Sequence, residues 1–340
     1  MSASEPSTPG RVTIKEVAER AGVSRSTASR ALAGTGYVAE PVRQRVRKAA
    51  DDLGYVVDAT ARSLKQRSSR VIGVIVSDLR NAFYADLAFG AGERARRAGY
   101  TMLLVDDGGS AEDELEAARA FVASRVAGVV LTPVAGDAVA FLQRQHVPVV
   151  EVDRVFGEAD AVVIDNRHAA HATTEHLLSL GHRRIALVID ETDWTTGRER
   201  RAGFADALDA AGVALDPSLV VAAGWDAEAA ERVMTELLSG DDRPTAVFAA
   251  NNLLAEGVWR AARALGLSIP EQLSIVAFDD APWMSMVTPG VTAIRQDAAE
   301  LGRTAVDQLI ARIADPQRAP HTVTLPAGFA RRASTARPAN

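Results

Sequence analysis

The sequence predicts a small all-α head followed by an α/β body of two doubly wound parallel-sheet lobes. Three observations carry that expectation. Apolar residues at helical spacing, broken by glycines, fill the first 56 residues. From Val71 on, short runs rich in Val, Ile and Leu alternate with helical stretches, a βαβ rhythm. Charge divides at the same place: residues 1–70 hold 13 Lys+Arg against 7 Asp+Glu, although the whole 340-residue chain carries −6. That length suits two or three domains, and 47% hydrophobic residues support a large core. A basic head on an acidic body is the charge distribution of a nucleic-acid reader joined to a second, different module.

Residues 1–10, MSASEPSTPG, read as a disordered N-terminus, and residues 11–56 as the head. Thr13-Ile14-Lys15-Glu16 is a capping-box pattern. Ile14, Val17, Ala18 and Ala21 then make one apolar stripe, and Gly22 ends the helix. Ser24 caps the next helix, Arg25 to Leu32. Two short helices joined by a tight glycine turn form a helix-turn-helix, whose second helix enters the major groove of duplex DNA. Arg25, Ser26 and Thr27 open that helix, with Ser29 and Arg30 one turn on. Arg25 can hold a guanine with two hydrogen bonds. Ser29, Thr13 and Ser24 suit phosphates, which position without specifying. A third helix, about Glu40 to Leu53, packs Val42, Val46, Ala49 and Leu53 beneath the first two. Its Arg43, Arg45, Arg47 and Lys48 read as a solvated face.

Residues 57–70 form a hinge and linker. Asp58 to Lys65 is too short to be helical alone and needs a partner, its twin in a dimer or a DNA groove. Leu64 is an apolar residue in a basic hinge, which suits a wedge between minor-groove base steps, with Arg62 and Lys65 near phosphates.

These residues resemble the lactose/galactose-repressor family of bacterial transcription regulators. The likeness rests on Thr13-Ile14-Lys15-Glu16-Val17-Ala18, Ala21-Gly22-Val23-Ser24, Thr27-Ala28-Ser29-Arg30, Leu53-Gly54-Tyr55 and Ala61-Arg62-Ser63-Leu64, and extends over about residues 11–335. It implies a homodimer on a pseudo-palindromic double-stranded DNA operator, with paired hinge helices kinking its centre through Leu64. It further implies a body like periplasmic sugar-binding proteins, closing on a small-molecule effector between its lobes. Ala33 stands where the family often has Asn at the end of the recognition helix. Ala39 stands where Ser commonly caps the third helix; the weaker cap costs about 1 kcal/mol.

In the body the runs are VIGVIV, TMLLV, VAGVVL, VPVVEV, RIALVI, AVFAA and LSIVAF. None alternates cleanly, as expected of buried parallel strands. Helices are expected near 113–123, 170–180 and 298–314. Ala161–Asn166 and Val291–Asp297 read as crossings between lobes. The first lobe then takes about 71–162 and 295–320, the second about 163–294 and 321–335.

Ligands in such sheets sit beyond the carboxyl ends of strands. That rule selects Asp78, Phe83 and Tyr84 after VIGVIV, Arg154 after VPVVEV, Asp165 after AVVI, and Thr196 and Arg200 after RIALVI. It also selects Trp225 after VVAA, Asn251 after AVFAA and Asp279 after LSIVAF. The resemblance implies effector contact at Asp165, Thr196, Arg200, Trp225, Asn251 and Asp279, and a pair of aromatics at Phe83 and Tyr84. Asn166, Asn252 and Asp280 stand at the same strand ends, where either ligand contact or the capping of a following helix is open to them; for Asn252 the cap is favoured. Carboxylates, amides and Arg bind polyols with paired hydrogen bonds, and aromatic faces stack on sugar rings. With Trp225 and Trp283 nearby, a sugar or polyol is the expected effector; a nucleobase between Phe83 and Trp225 stays open.

Other chemistry is not called for. No nucleophile–base pair, Walker loop, GxSxG or HExxH occurs, so the chain does not read as an enzyme. His168 and His171 lack further ligands spaced to complete a metal site, Gly90-Ala91-Gly92 is only a fragment of a dinucleotide loop, and no cofactor is expected. The chain has no cysteine. No apolar run reaches the ~18 residues of a membrane helix, and no leader-like segment opens the sequence, so a cytoplasmic protein is expected. No apolar heptads follow Leu325, so a dimer without a tetramerising coiled coil is expected. The function expected is a ligand-responsive repressor of a sugar-utilisation operon. The rival is a solute-binding receptor for a sugar or nucleobase that regulates no DNA.

Overall fold

The computed structural model describes residues 12–34, 36–55, 69–190 and 194–339. The N-terminal stretch 1–10 and the hinge with Leu64 and Lys65 lie outside the described residues. The chain divides into a unit ending at Ser68 and a body from Ser69 onward.

Among the described residues the head is three helices: α1 (Ile14–Ala21), α2 (Arg25–Ala33) and α3 (Glu40–Asp52). Thr13 donates its backbone N–H and its hydroxyl to the Glu16 carboxylate, at 2.7 and 2.8 Å. Gly22 ends α1 at φ 66°, a left-handed backbone that a side chain would strain. Ser24 accepts the Thr27 N–H at 3.1 Å and starts α2. Ala39 offers no side-chain cap to α3, whose first turn holds a proline instead. Val17, Ala28, Ala31 and Val46 are fully buried where the three helices meet.

The body holds two six-stranded sheets of like order. The first is made of β1 (Val71–Val76), β2 (Thr101–Asp106), β3 (Val129–Leu131), β4 (Val149–Val152), β5 (Asp160–Ile164) and β11 (Thr322–Leu325). The second is made of β6 (Ile185–Ile189), β7 (Val220–Ala222), β8 (Ala246–Ala249), β9 (Ser274–Phe278), β10 (Thr292–Arg295) and β12 (Gly328–Ala330). Their orders are 2-1-3-4-5-11 and 7-6-8-9-10-12. Every pairing is parallel except β10 with β12.

Helices cover both faces of each sheet. The first sheet has α4 (Ala82–Arg97) and α11 (Ala298–Ala314) on one side and α5 (Ala111–Ala123) and α6 (Gly136–Arg144) on the other. The second has α7 (Asn166–Ser179) and α8 (Thr195–Ala210) on one side, α9 (Ala227–Ser239) and α10 (Asn252–Ala264) on the other. The paired helices touch backbone to backbone at glycines. A Cβ on Gly302 would lie 2.1 Å from the Leu87 carbonyl of α4, and one on Gly203 2.1 Å from that of Arg167 in α7.

Two expectations are corrected. Residues 321–325 were assigned to the second lobe, but β11 pairs with β5 and extends the first sheet. Its TVTL sequence is exposed and half-buried in alternation, as an edge strand is, and the chain crosses only after Leu325. TMLLV read as a buried strand, but β2 is the other edge, and Leu103 and Leu104 are 39% and 37% exposed.

Candidate functional site

On the head, the polar face of α2 is open. Arg25, Ser26 and Arg30 are exposed, and Thr27 and Ser29 half-buried. Ser24 also bonds the hydroxyls of Ser26 and Thr27, both at 2.9 Å, which fixes a cluster of hydroxyls at the N-terminus of α2. Among the described residues, neither Arg25 nor Arg30 has an ion-pair partner. Arg20 on α1 and Arg45, Arg47 and Lys48 on α3 are likewise exposed with no ion-pair partner among the described residues, so the surplus cation is spread over all three helices, α2 included. A helix N-terminus with free N–H groups and hydroxyls also favours phosphate.

In the body, both sheets reverse strand order at corresponding places, β1/β3 and β6/β8, and each reversal carries a polar pair at its carboxyl end. Ser77 and Thr132 lie 3.4 Å apart there, and the Asn251 amide donates to Asp190 at 3.1 Å. Both are the crevices where ligands of such sheets sit.

Direct bonds join the two lobes around these crevices. Asn252 donates to Asn81 at 2.8 Å, the Val155 N–H to the Thr195 hydroxyl at 3.1 Å, and the Trp194 indole to the Val134 carbonyl at 3.2 Å. Trp225 lies against Gly109, where any Cβ would fall 2.0 Å from the indole. Trp194 meets Trp225 edge-on, with ring centres 5.8 Å apart.

Two buried arginines organise the cleft, one from each lobe. Arg154 donates to Ser77 at 3.0 Å and to the Tyr84 hydroxyl, and its guanidinium lies 4.0 Å over the Trp194 ring. Burial pushes the Tyr84 phenol up to about 12, so it stays a neutral hydroxyl. Arg200 donates to Asn166 at 2.9 Å and to the Ala250 carbonyl at 2.6 Å, over the Phe278 ring at 3.7 Å. Asp279, in left-handed backbone at φ 65°, accepts from Gln296. Burial pushes Asp279 up to about 6 and raises Asp153 and Asp190 above the usual carboxylate range, although Arg200 pulls each of them down.

Several buried atoms here have no partner: Asp153 Oδ1, Asp190 Oδ1, Gln296 Oε1 and Arg154 Nη1. Unpaired buried polar atoms are costly and rare, and the donors and acceptors of a polar ligand would satisfy these. A cavity of about 150 Å³ opens beside one of them, Gln296, lined also by Phe83, Asn252 and Asp279.

The cleft thus gathers Phe83, Tyr84, Arg154, Arg200, Trp225, Asn251 and Asp279 of the residues selected from sequence. Thr196 is buried one turn before Arg200. Asp78 stands apart, its carboxylate held by exposed Arg80 at 3.0 Å. Asp165 is not in the cleft: it caps α7 by accepting the His168 N–H, and faces a separate groove of about 790 Å³ with His168, His176 and Phe329. Asn166, open to either role, is the one that meets Arg200. Asn251 both caps α10 and binds Asp190, whereas Asn252, read as the cap, reaches across the lobes. Asp280 forms a two-point pair with Arg332 at 2.7 and 2.8 Å and caps no helix. Trp283 packs against Trp259 on the second lobe's other core.

Sequence reasoning missed Trp194, Asp190 and Gln296. The last two directly follow β6 and β10, so the strand-end rule reaches them when applied to every strand. Trp194 lies on the same segment after β6 as Thr196 and Arg200, one residue before the helix that holds them.

Comparison with known proteins agrees with this layout. Residues 13–58 match the model of bacterial regulatory proteins of the lacI family, and residues 174–335 a periplasmic binding protein-like domain. The HTH-type transcriptional repressor PurR of Vibrio vulnificus (strain CMCP6) is 31% identical over 312 residues, 90% of this chain and 93% of that protein. A lac repressor dimer bound to operator and the anti-inducer ONPF superposes with a TM-score of 0.86 at 27% identity, covering 96% of this chain and all of that one. A complex of the transcriptional regulator CelR with cellobiose superposes with a TM-score of 0.73 at 29% identity, covering 95% of this chain and all of that one.

Proposed function

Since the chain belongs to the lacI family of bacterial regulatory proteins, and is a DNA-binding transcription regulator rather than an enzyme, we propose that it represses a sugar-utilisation operon and is released by a sugar or polyol. The observation that carries this reading is the set of unpartnered buried oxygens in the cleft together with one unpartnered donor, Arg154 Nη1. Hydroxyls donate and accept at once, so a polyol satisfies both kinds of atom. A relative solved with cellobiose supports the same ligand class.

The chain works as a homodimer in the cytoplasm, where operator DNA is. Edge strand β2, with Leu103 and Leu104 exposed and Leu79 tied to Asp106 at its end, is an apolar edge that a second copy would cover. Thr13, Ser24 and Ser29 hold phosphates, while Arg25, Ser26, Thr27 and Arg30 face the groove. Leu64 wedges the central step with Lys65 beside it. Closure of the lobes on the effector changes the spacing of the two heads. Effector and operator then weaken each other's binding by one common factor.

The test is a gel shift of the full chain on a palindromic operator library, with and without a panel of sugars. The expected result is a salt-sensitive complex that a sugar dissolves. A complex indifferent to every sugar but released by a nucleobase overturns the ligand class. No preference for any palindrome overturns the repressor reading.

A further inference from the structure

The cleft is more acidic than a neutral sugar requires. Asp153, Asp190 and Asp279 all feel the charge of Arg200, and each has less than a tenth of its surface exposed. Toward Trp225 lie two more carboxylates, Asp107 just beyond β2 and Glu114 on the first turn of α5, 2% and 0% exposed. Both feel the charge of Arg154, and Glu114 also feels that of Asp107. Glu114 bonds the Val134 N–H, whose own carbonyl takes the Trp194 indole, so this pair belongs to the wall where the lobes meet. Five carboxylates thus share two guanidiniums.

The bonding shows the same imbalance atom by atom. Asp107 Oδ1 accepts the Gly109 N–H at 2.8 Å, Glu114 Oε2 accepts from Val134, and Asp190 Oδ2 accepts from Asn251. The second oxygen of each has nothing: Asp107 Oδ2, Glu114 Oε1 and Asp190 Oδ1 are buried and unpartnered, as is Asp153 Oδ1. Among the described residues of the body, four of the unsatisfied atoms are carboxylate oxygens, against a single guanidinium nitrogen, Arg154 Nη1. A buried carboxylate without a countercharge either takes up a proton or is met by a cation.

Building on the sugar-or-polyol reading of this cleft, we propose that the effector carries a protonated amine among its hydroxyls: an amino sugar rather than a neutral hexose. An ammonium supplies three donors and no acceptor, which suits a wall of acceptor oxygens. A hydroxyl in the same place donates once and brings an acceptor of its own. The remaining hydroxyls engage Arg154 Nη1 and Gln296, and the ring lies against the tryptophans. Burial raises Asp107 to about 6 and Glu114 to about 7, as expected where negative charge lacks a partner.

The test uses the full chain and matched probes: glucosamine, galactosamine and mannosamine, their parent hexoses, and their N-acetyl forms. Binding is read by thermal shift and calorimetry near neutral pH. At least one amine is expected to bind about tenfold or more tighter than its parent. N-acetylation, which removes the charge, removes the gain. Asp190→Asn and Asp153→Asn, which keep shape and lose charge, narrow the gap between amine and parent. Calorimetry in two buffers adds a second readout: a neutral ligand that binds by protonating the cleft takes protons from the buffer, and an ammonium does not. A parent hexose that binds as tightly as its amine, or binds with proton uptake, overturns the proposal and leaves the sugar reading intact. If no sugar, charged or neutral, shifts the melting temperature while a nucleobase does, both fall.

Discussion

The head and the body use the same side chains in opposite surroundings. On α2, Arg25 and Arg30 stand in solvent with hydroxyls beside them, and leaving them unpaired costs almost nothing. In the cleft, Arg154 and Arg200 are 1% and 3% exposed, and every bond they make or lack counts. A surface that waits for DNA can be cheap because water serves it until the phosphates arrive. A cleft that senses a small molecule must be pre-built at a cost in stability, since selectivity comes from donors and acceptors that water no longer satisfies.

Arg200→Ala breaks that contrast most severely. It strips the partner from Asn166 and the Ala250 carbonyl, and the countercharge from three buried carboxylates. A loss of about 3–5 kcal/mol is expected in urea unfolding, together with loss of the effector response. Arg25→Ala is the counterpart on the head. It should weaken operator binding by about 1–3 kcal/mol and leave stability within about 0.5 kcal/mol. Equal stability loss in the two variants would erase the distinction.

Acidity sharpens the comparison further. Asp107 and Asp279, at about 6, and Glu114, at about 7, hold their protons more tightly folded than unfolded. Through these three groups the folded chain binds more protons between about pH 4 and 7, and their contribution to stability falls as pH rises through that window, while His176 and His182, which burial holds below the usual imidazole range, oppose it. In the body this penalty is complete above about pH 7 and absent below about pH 4. The head offers the reverse sign: Glu16 is held below the ordinary range by its bonds to Thr13, fully exposed and of small consequence. Melting temperature should be several degrees higher near pH 5 than near pH 8, and Glu114→Gln should flatten the slope. A flat profile in the unaltered chain would mean that the carboxylates are compensated.

Gly302→Ala and Gly203→Ala compare the lobes with each other. Each adds a methyl where a carbonyl lies 2.1 Å away, so each should cost about 1–3 kcal/mol by thermal unfolding as paired helices move apart.

How much of this the sequence shows depends on the scale of the question. Helix-turn-helix spacing, the βαβ rhythm and the end of each strand that bears function follow from periodicity. Which of two neighbours faces the cleft does not. Asp165 and Asn166 differ by one position, as do Asn251 and Asn252, and each time the role belonged to the other residue or to both. A cap needs the residue just before the first helical turn, and the next side chain then turns about 100° away. Only the helix start decides which is which, and element boundaries are uncertain by more than one residue when read from sequence. TMLLV looked buried because edge and central strands share composition until the strand order is known. Asp107 directly follows β2 and is reached by the strand-end rule, as Asp190 and Gln296 are. Glu114 stayed hidden for another reason: acidic residues in a first helical turn are ordinarily solvated, and only the tertiary contact of Trp225 at Gly109 closes that wall.

The smallest effect tests whether the bonds between the lobes belong to sensing or only to stability. The Asn252 amide lends one hydrogen bond to Asn81, whose same oxygen also caps α4 through the Phe83 N–H at 3.0 Å. Asn252→Ala removes the bridge and leaves that cap in place, so the body should lose only about 0.5–1.5 kcal/mol. Because the bond exists only with the lobes together, its loss favours the open arrangement by the same amount, and effector binding weakens about two- to tenfold. Asn252→Asp keeps the size but replaces the donor with a charge facing the Asn81 oxygen, and should weaken binding at least as much. Effector affinity unchanged in both, by calorimetry, would show that closure does not draw on this bond and that the tryptophan and Thr195 contacts suffice.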